Sequence, residues 1–329
     1  MSPFNSYNLL INKKYLLNSW VTKVSFISVA INGWQLAKQV YIDESTKKRR
    51  KQQIKYFFRF LFNSRFASVW LSNLKRPCYT VVVTHRKLLV TKPFRRYISN
   101  KWTKKQKAKV ILDNHRFISS KSEYFKSVIT NREGIEIASF KLNETLEGHL
   151  NLNCEQSKEG ELVLSFKCNQ IDEVIVSATF SFEEKKEGVW VCWIGCIQGH
   201  KVNDKNISKM VQKLLHGFRP KSFIVFIVQE FIGNLGFSAI YGVNNNLHIS
   251  RGKYTIHLPW NHGIKFDYNS LWIESGGKLT KDGWFELPIL PNRRSYEEIQ
   301  TEKRALYRRR YSLCDDISSK IAHTVKKLC

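Results

Sequence analysis

Glu161-Leu162-Val163-Leu164-Ser165-Phe166-Lys167, Val174-Ile175-Val176-Ser177-Ala178-Thr179-Phe180-Ser181-Phe182 and Val189-Trp190-Val191-Cys192-Trp193-Ile194-Gly195 are three short runs rich in branched and aromatic residues. Polar segments, Cys168 to Glu173 and Glu183 to Gly188, separate them. Side chains of these types fit a pleated, half-buried surface, so the runs read as an antiparallel meander. Beyond it, Ile207 to His216 reads as a helix stopped by Gly217. Pro220 restarts a helix over Ser222 to Leu235, stopped by Gly236. That second helix is apolar nearly all round yet shorter than a membrane span, which predicts burial against the sheet. Ala239 to Val243 reads as a further strand.

Upstream of about residue 135 the period is helical. Lys47 to Trp70 reads as one basic amphipathic helix: the apolar residues Ile54, Phe57, Phe58, Leu61, Phe62, Val69 and Trp70 recur at steps of three and four, while Lys47, Lys51, Lys55 and Arg59 follow strict i, i+4 steps. A second block, Lys92 to Lys105, interleaves cations such as Arg95 and Arg96 with Phe94, Tyr97 and Trp102. The fold expected is therefore α+β. A basic helical region, residues 1–132, precedes a mainly antiparallel sheet with buried helices, residues 133–329, and a charged helix from Tyr296 to Arg310 closes it.

The chain has 329 residues, 43 % of them hydrophobic, which excludes a wholly disordered protein. Its net charge is +27, and the surplus is uneven. Residues 1–132 hold 28 Lys and Arg against 4 Asp and Glu, whereas residues 133–190 hold 5 against 12. Like charge at that density repels itself unless an anionic partner screens it, so the first region predicts a polyanion: an anionic membrane surface, with non-specific nucleic acid as the alternative. Lys47, Lys51, Lys55, Arg59, Arg95 and Arg96 are the residues expected to meet it. The seven cysteines are widely spaced and contain no C-x-x-C, which fits a reducing compartment. No export signal is legible, and Lys23, Asn32, Gln35 and Lys38 interrupt the stretch Val21 to Val40. A cytoplasmic protein lying on, rather than crossing, the inner membrane is expected. No histidine pairing suits a metal, and no P-loop, G-x-G-x-x-G or G-x-S-x-G occurs, which argues against ATP hydrolysis, nicotinamide chemistry and serine hydrolysis.

Several spaced blocks carry a resemblance. Trp193-Ile194-Gly195-Cys196-Ile197-Gln198-Gly199, Leu215 to Lys221, Gly242-Val243-Asn244-Asn245 through His248, Asp267-Tyr268 through Gly277, and Lys303 to Tyr311 look like successive blocks of the bacterial VirK/YbjX family, over roughly residues 50–318. The resemblance implies a role in virulence and in withstanding cationic antimicrobial peptides, with no assigned catalytic residues. The order of elements is also similar to the core of GNAT-type acyltransferases, in which coenzyme A phosphates sit on backbone N–H groups at a helix start after the fourth strand. That likeness implies coenzyme A, or an acyl carrier protein, held near Gln198, Gly199, Arg219 and Lys221. His248, Asp267, Tyr268 and Glu274 supply the residue types that general acid–base transfer of an acyl group needs. Residues in loops rich in glycine also cap turns, so a non-enzymatic binder that recruits a partner stays open beside the enzyme.

Overall fold

A computed structural model describes residues 26–155, 157–169, 171–199, 205–251 and 266–329, in two compact units, Met1–Ser72 and Asn73–Cys329. The change in charge read at 132/133 and the boundary between units at 72/73 are thus separate boundaries. In the first unit α1 (Phe26–Val40) packs on α2 (Thr46–Leu61), and α3 (Ser64–Leu74) follows in the chain. Gly33 allows the close approach of α1 and α2, because a Cβ there would lie 2.7 Å from Phe60 Cγ and 2.8 Å from the Tyr56 carbonyl oxygen. The single helix expected over Lys47 to Trp70 is two helices. Asn63 breaks it: its side-chain amide donates to the Arg59 carbonyl at 2.7 Å, replacing a backbone bond that a continuing helix would use.

In the second unit α4 (Pro77–His85), α5 (Lys104–Ser119) and α6 (Glu123–Thr130) precede the sheet. A capping box starts α5, Thr103 accepting from the Gln106 N–H and the Gln106 side chain accepting from the Thr103 N–H. Strands β1 (Ile135–Lys141), β2 (Glu147–Cys154), β3 (Leu162–Cys168), β4 (Ile171–Lys186) and β5 (Val189–Gly199) form a consecutive antiparallel ladder, so the expected meander is present and longer by two strands. After α7 (Lys205–Leu214) and α8 (Pro220–Asn234), β6 (Ala239–Gly242) joins β5 in parallel. Positive φ at Gly217 and Gly236, +77° and +76°, ends these two helices as the sequence predicts. After α9 (Tyr268–Glu274), β7 (Lys278–Leu279) and β8 (Phe285–Leu287) complete the sheet in the order β1-β2-β3-β4-β5-β6-β8-β7.

Alternation along the strands gives the sheet two different faces. Phe166 and Phe180 turn toward α8, their ring centroids 5.1 Å from Phe223 and 6.4 Å from Phe231. Out of phase with them, Ser181 and Trp193 meet Tyr97 and Trp102 on the other side. Past the last β3 pair at Phe180, the bare N–H groups of Phe182 and Glu184 in β4 donate to Asn114 and Asp113 of α5. Between α5 and the sheet lies a buried ionic group. Lys92 Nζ is 2.7 Å from Glu161 Oε1, and His115 Nε2 is 3.0 Å from Glu161 Oε2. Burial alone would raise the Glu161 pKa, but Lys92 and His115 outweigh it and hold the carboxyl below its usual range.

The closing helix differs from its expectation. It is α10 (Arg304–Leu328), while residues 296–303 form turns and a short 3-10 helix. Ile317, Ile321, Val325 and Leu328 recur at helical spacing and are buried, and that stripe carries the helix past the charged run that first suggested it.

Candidate functional site: the parting of β5 and β6

Parallel pairing of β5 with β6 runs from Val191↔Ala239 to Ile194↔Gly242 and stops. The cause is a β-bulge. Phe180 pairs with Ile194 but Thr179 pairs with Cys196, leaving Gly195 as the extra residue. A Cβ on Gly195 would overlap the carbonyl oxygen of Glu159, so the loop bearing Glu159 lies against the bulge and only glycine fits. Beyond it β5 continues on β4 alone, while the other chain leaves Gly242 and turns through Asn244. The Asn244 side-chain oxygen accepts the N–H groups of Asn246 and Leu247 at 2.8 and 2.7 Å, which fixes the turn leading to His248.

Tyr268, the first residue of α9, reaches the β5 edge that β6 has left. Its hydroxyl is 3.4 Å from Ile197 N, 3.5 Å from Ile197 O and 3.3 Å from Cys196 Sγ. The His248 ring stacks on the Tyr268 ring, centroids 5.2 Å apart. His248 is 7 % exposed. Its Nδ1 lies 2.9 Å from Ser250 Oγ, and Nε2 has no hydrogen-bond partner among the described residues. Burial lowers the His248 pKa, with the Glu159 charge acting the other way, so the imidazole is neutral at pH 7. Burial also keeps the Tyr268 hydroxyl protonated far above neutral pH, and it pushes the Cys196 thiol up to about 11. Lys221, in the first turn of α8, sits with Nζ 3.3 Å from the Phe266 ring centroid, and burial lowers its pKa.

Of the residues singled out in the sequence, His248, Tyr268, Lys221 and Gly199 fall in this neighbourhood; the position of a Gly199 Cβ is 3.3 Å from Lys221 Cε. Gln198 is exposed on β5 opposite Ser177. Arg219 and Glu274 form an exposed ion pair with each other at 3.1 Å. Asp267 caps α9, accepting from Asn269 N at 3.0 Å and from the Asn245 side-chain amide at 2.7 Å. Hydrogen bonds from Ser270 and Asn245 lower its pKa. The turn from His200 to Asp204 lies outside the described residues. Sequence reading missed Glu159 and Cys196. A glycine inside an apolar strand, Gly195, was the available signal of a bulge and of a close approach.

Lys47, Lys51 and Lys55 are exposed on α2, and the Arg59 guanidinium is 5.2 Å from the Tyr56 ring centroid. In the second unit Arg96 is exposed and Arg95 half-buried. Among the described residues, no helix is long and apolar enough to cross a membrane, and no group of three His, Cys, Asp or Glu side chains is placed to hold a metal.

A family described as "Protein of unknown function (DUF535)" matches residues 45–323. The chain belongs to this family, that of VirK and YbjX. Uncharacterized protein YbjX of Escherichia coli (strain K12) is 27 % identical to this VirK/YbjX-family chain over 282 residues, covering 83 % of each. An uncharacterized protein of Haemophilus influenzae is 27 % identical over 235 residues, 69 % of this chain and 72 % of the relative. A protein of Mannheimia haemolytica named "Membrane protein LapB" is 23 % identical over 224 residues, 64 % of this chain and 90 % of the relative. No solved structure matches the chain significantly.

Proposed function

We propose that this VirK/YbjX-family chain is an acyl-group transferase of the bacterial envelope that takes its acyl groups from coenzyme A or an acyl carrier protein. One observation carries the reading: β5 and β6 part at the Gly195 bulge, and a buried imidazole nitrogen without a partner among the described residues stands beside that opening. Ligands of open sheets bind outside the carboxyl ends of parallel strands where the topology switches, and β5 and β6 form such a pair. An extended, amide-bearing arm such as that of coenzyme A pairs naturally with a bare strand edge, and Lys221 and the start of α8 suit phosphate. An arm on Ile197 takes over the bonds of the Tyr268 hydroxyl and frees it.

His248 Nδ1 accepts the Ser250 N–H at 3.3 Å, so it is the basic nitrogen of the ring, and Ser250 Oγ, 2.9 Å from it, relays to it the proton that an acceptor amine loses on attacking a thioester carbonyl. Tyr268 gives a proton to the sulfur as the carbon–sulfur bond breaks. One proton leaves nitrogen and one arrives on sulfur, so the exchange balances. The envelope setting rests on the family resemblance and on the word "membrane" in the name of the Mannheimia relative. Expected on titration with acyl-coenzyme A is a rise in melting temperature, followed by release of free thiol once a primary amine is added as acyl acceptor. In His248→Gln the rise remains and the release is lost. Absence of any melting shift with acyl-coenzyme A or acyl carrier protein overturns the proposal.

A non-enzymatic binder is the second reading, and Asp267 and Glu274 favour it, because both carboxylates already serve structural partners. Ligand-induced stabilisation without thiol release, unchanged in His248→Gln, assigns the protein to that reading.

A further inference from the structure

In α2 the helical period places Gln53, Tyr56 and Phe60 on the buried face, and Lys47, Lys51, Ile54, Phe58 and Phe62 in one stripe on the opposite face. The exposure of that stripe is large: 50 % at Ile54, 48 % at Phe58 and 79 % at Phe62. The Phe58 and Phe62 rings stack on each other, 6.1 Å apart, and stay at the surface. The first turns hold Lys47, Lys48, Arg49, Arg50 and Lys51 in succession, and no acidic residue lies between Thr46 and Leu61. Cations at a helix start oppose the helix dipole, and an anion there relieves both the dipole and their mutual repulsion. The stripe is thus cationic at one end and aromatic at the other.

We infer that the outward face of α2 docks on an anionic lipid bilayer, with Lys47 and Lys51 on headgroup phosphates and Ile54, Phe58 and Phe62 inserted at the boundary with the acyl chains. Grading from charge to aromatic along the stripe tilts the helix, its Phe62 end deeper. Nucleic acid would use the cations and leave Ile54 without a partner, while a second copy would bring like charges together on a chain of net charge +27. The inference does not depend on acyl transfer.

The test is flotation of the full-length chain with phosphatidylglycerol-containing vesicles and with pure phosphatidylcholine vesicles. Wild type is expected to float with the anionic vesicles and to keep part of that binding at high salt. Phe58→Ser/Phe62→Ser lowers partitioning by about tenfold per ring, with circular dichroism unchanged, and Lys47→Glu/Lys51→Glu removes the preference for anionic lipid. His248→Gln floats as wild type does, which separates this result from failure of the catalytic reading. The inference is overturned if the double serine variant floats like wild type, or if wild type does not float. It is equally overturned if the serine substitutions instead dissociate a dimer, or if only DNA binding responds to the lysine substitutions.

Discussion

Lys92 is a lysine almost wholly out of water, and Glu161, in contact with it, is more deeply buried still. Against the cost of burial, Glu161 owes its ionised state to Lys92 and His115. Lys92→Met removes one partner and leaves the other uncompensated, which is expected to cost about 3–5 kcal/mol of stability, read from the shift in urea midpoint. Lys92→Met/Glu161→Leu should recover part of that loss, since an apolar pair of similar volume needs no counter-charge. A cost to the single variant below that of an exposed pair would show that water reaches Glu161.

At the scale of elements, the bulge in β5 decides what meets at its edge. Gly195→Ala places a methyl group where the Glu159 carbonyl stands, so either the segment bearing Glu159 moves or the bulge straightens. Both displace Cys196 and the Tyr268 contact. The expected result is a moderate loss of stability, about 1–3 kcal/mol, together with loss of any acyl-coenzyme A melting shift. Ligand response retained at wild-type strength would mean that the bulge does not shape the site. Strands and helix stops were legible in the sequence because their signals are local: alternating branched residues for β3 to β5, and glycines 217 and 236 for the ends of α7 and α8. His248 and Tyr268 were legible as residue types in a family block. Their stacking was not, nor was the approach of Glu159, because those contacts join distant loops and leave no periodic trace. The break at Asn63 was missed because hydrophobic spacing continues through it, and a single side-chain hydrogen bond decides the matter.

For the whole molecule, acid sensitivity has two windows. Burial holds the His248 pKa below 6.5, so the unfolded chain binds that proton first as pH falls from 6.5. Stability therefore declines on acidification from that point, and above it the group contributes no slope. Glu161, Glu183 and Glu184 are each held below the usual 4.5, Lys92, Lys109 and Arg116 respectively outweighing the cost of burial. Their stabilisation is complete above 4.5 and is lost as pH falls through the folded-state values. Urea midpoints measured across pH should fall in two stages, and His248→Gln should reduce the upper one only, His216 keeping its share because burial lowers its pKa as well. An unaltered upper stage in that variant would assign it to another histidine.

The ladder from β1 to β5 joins neighbours along the chain, whereas β6 reaches β5 only after α7 and α8 have been traversed. Long-range pairings close late on the way to the native state and, being few in number here, open early under denaturant. Amide hydrogens at Ile240 to Gly242 should therefore exchange faster than those in the middle of β4. A cell that loses a little stability in this protein would forfeit the neighbourhood of His248 while most of the sheet persists, giving a species that is folded by bulk measures and inert.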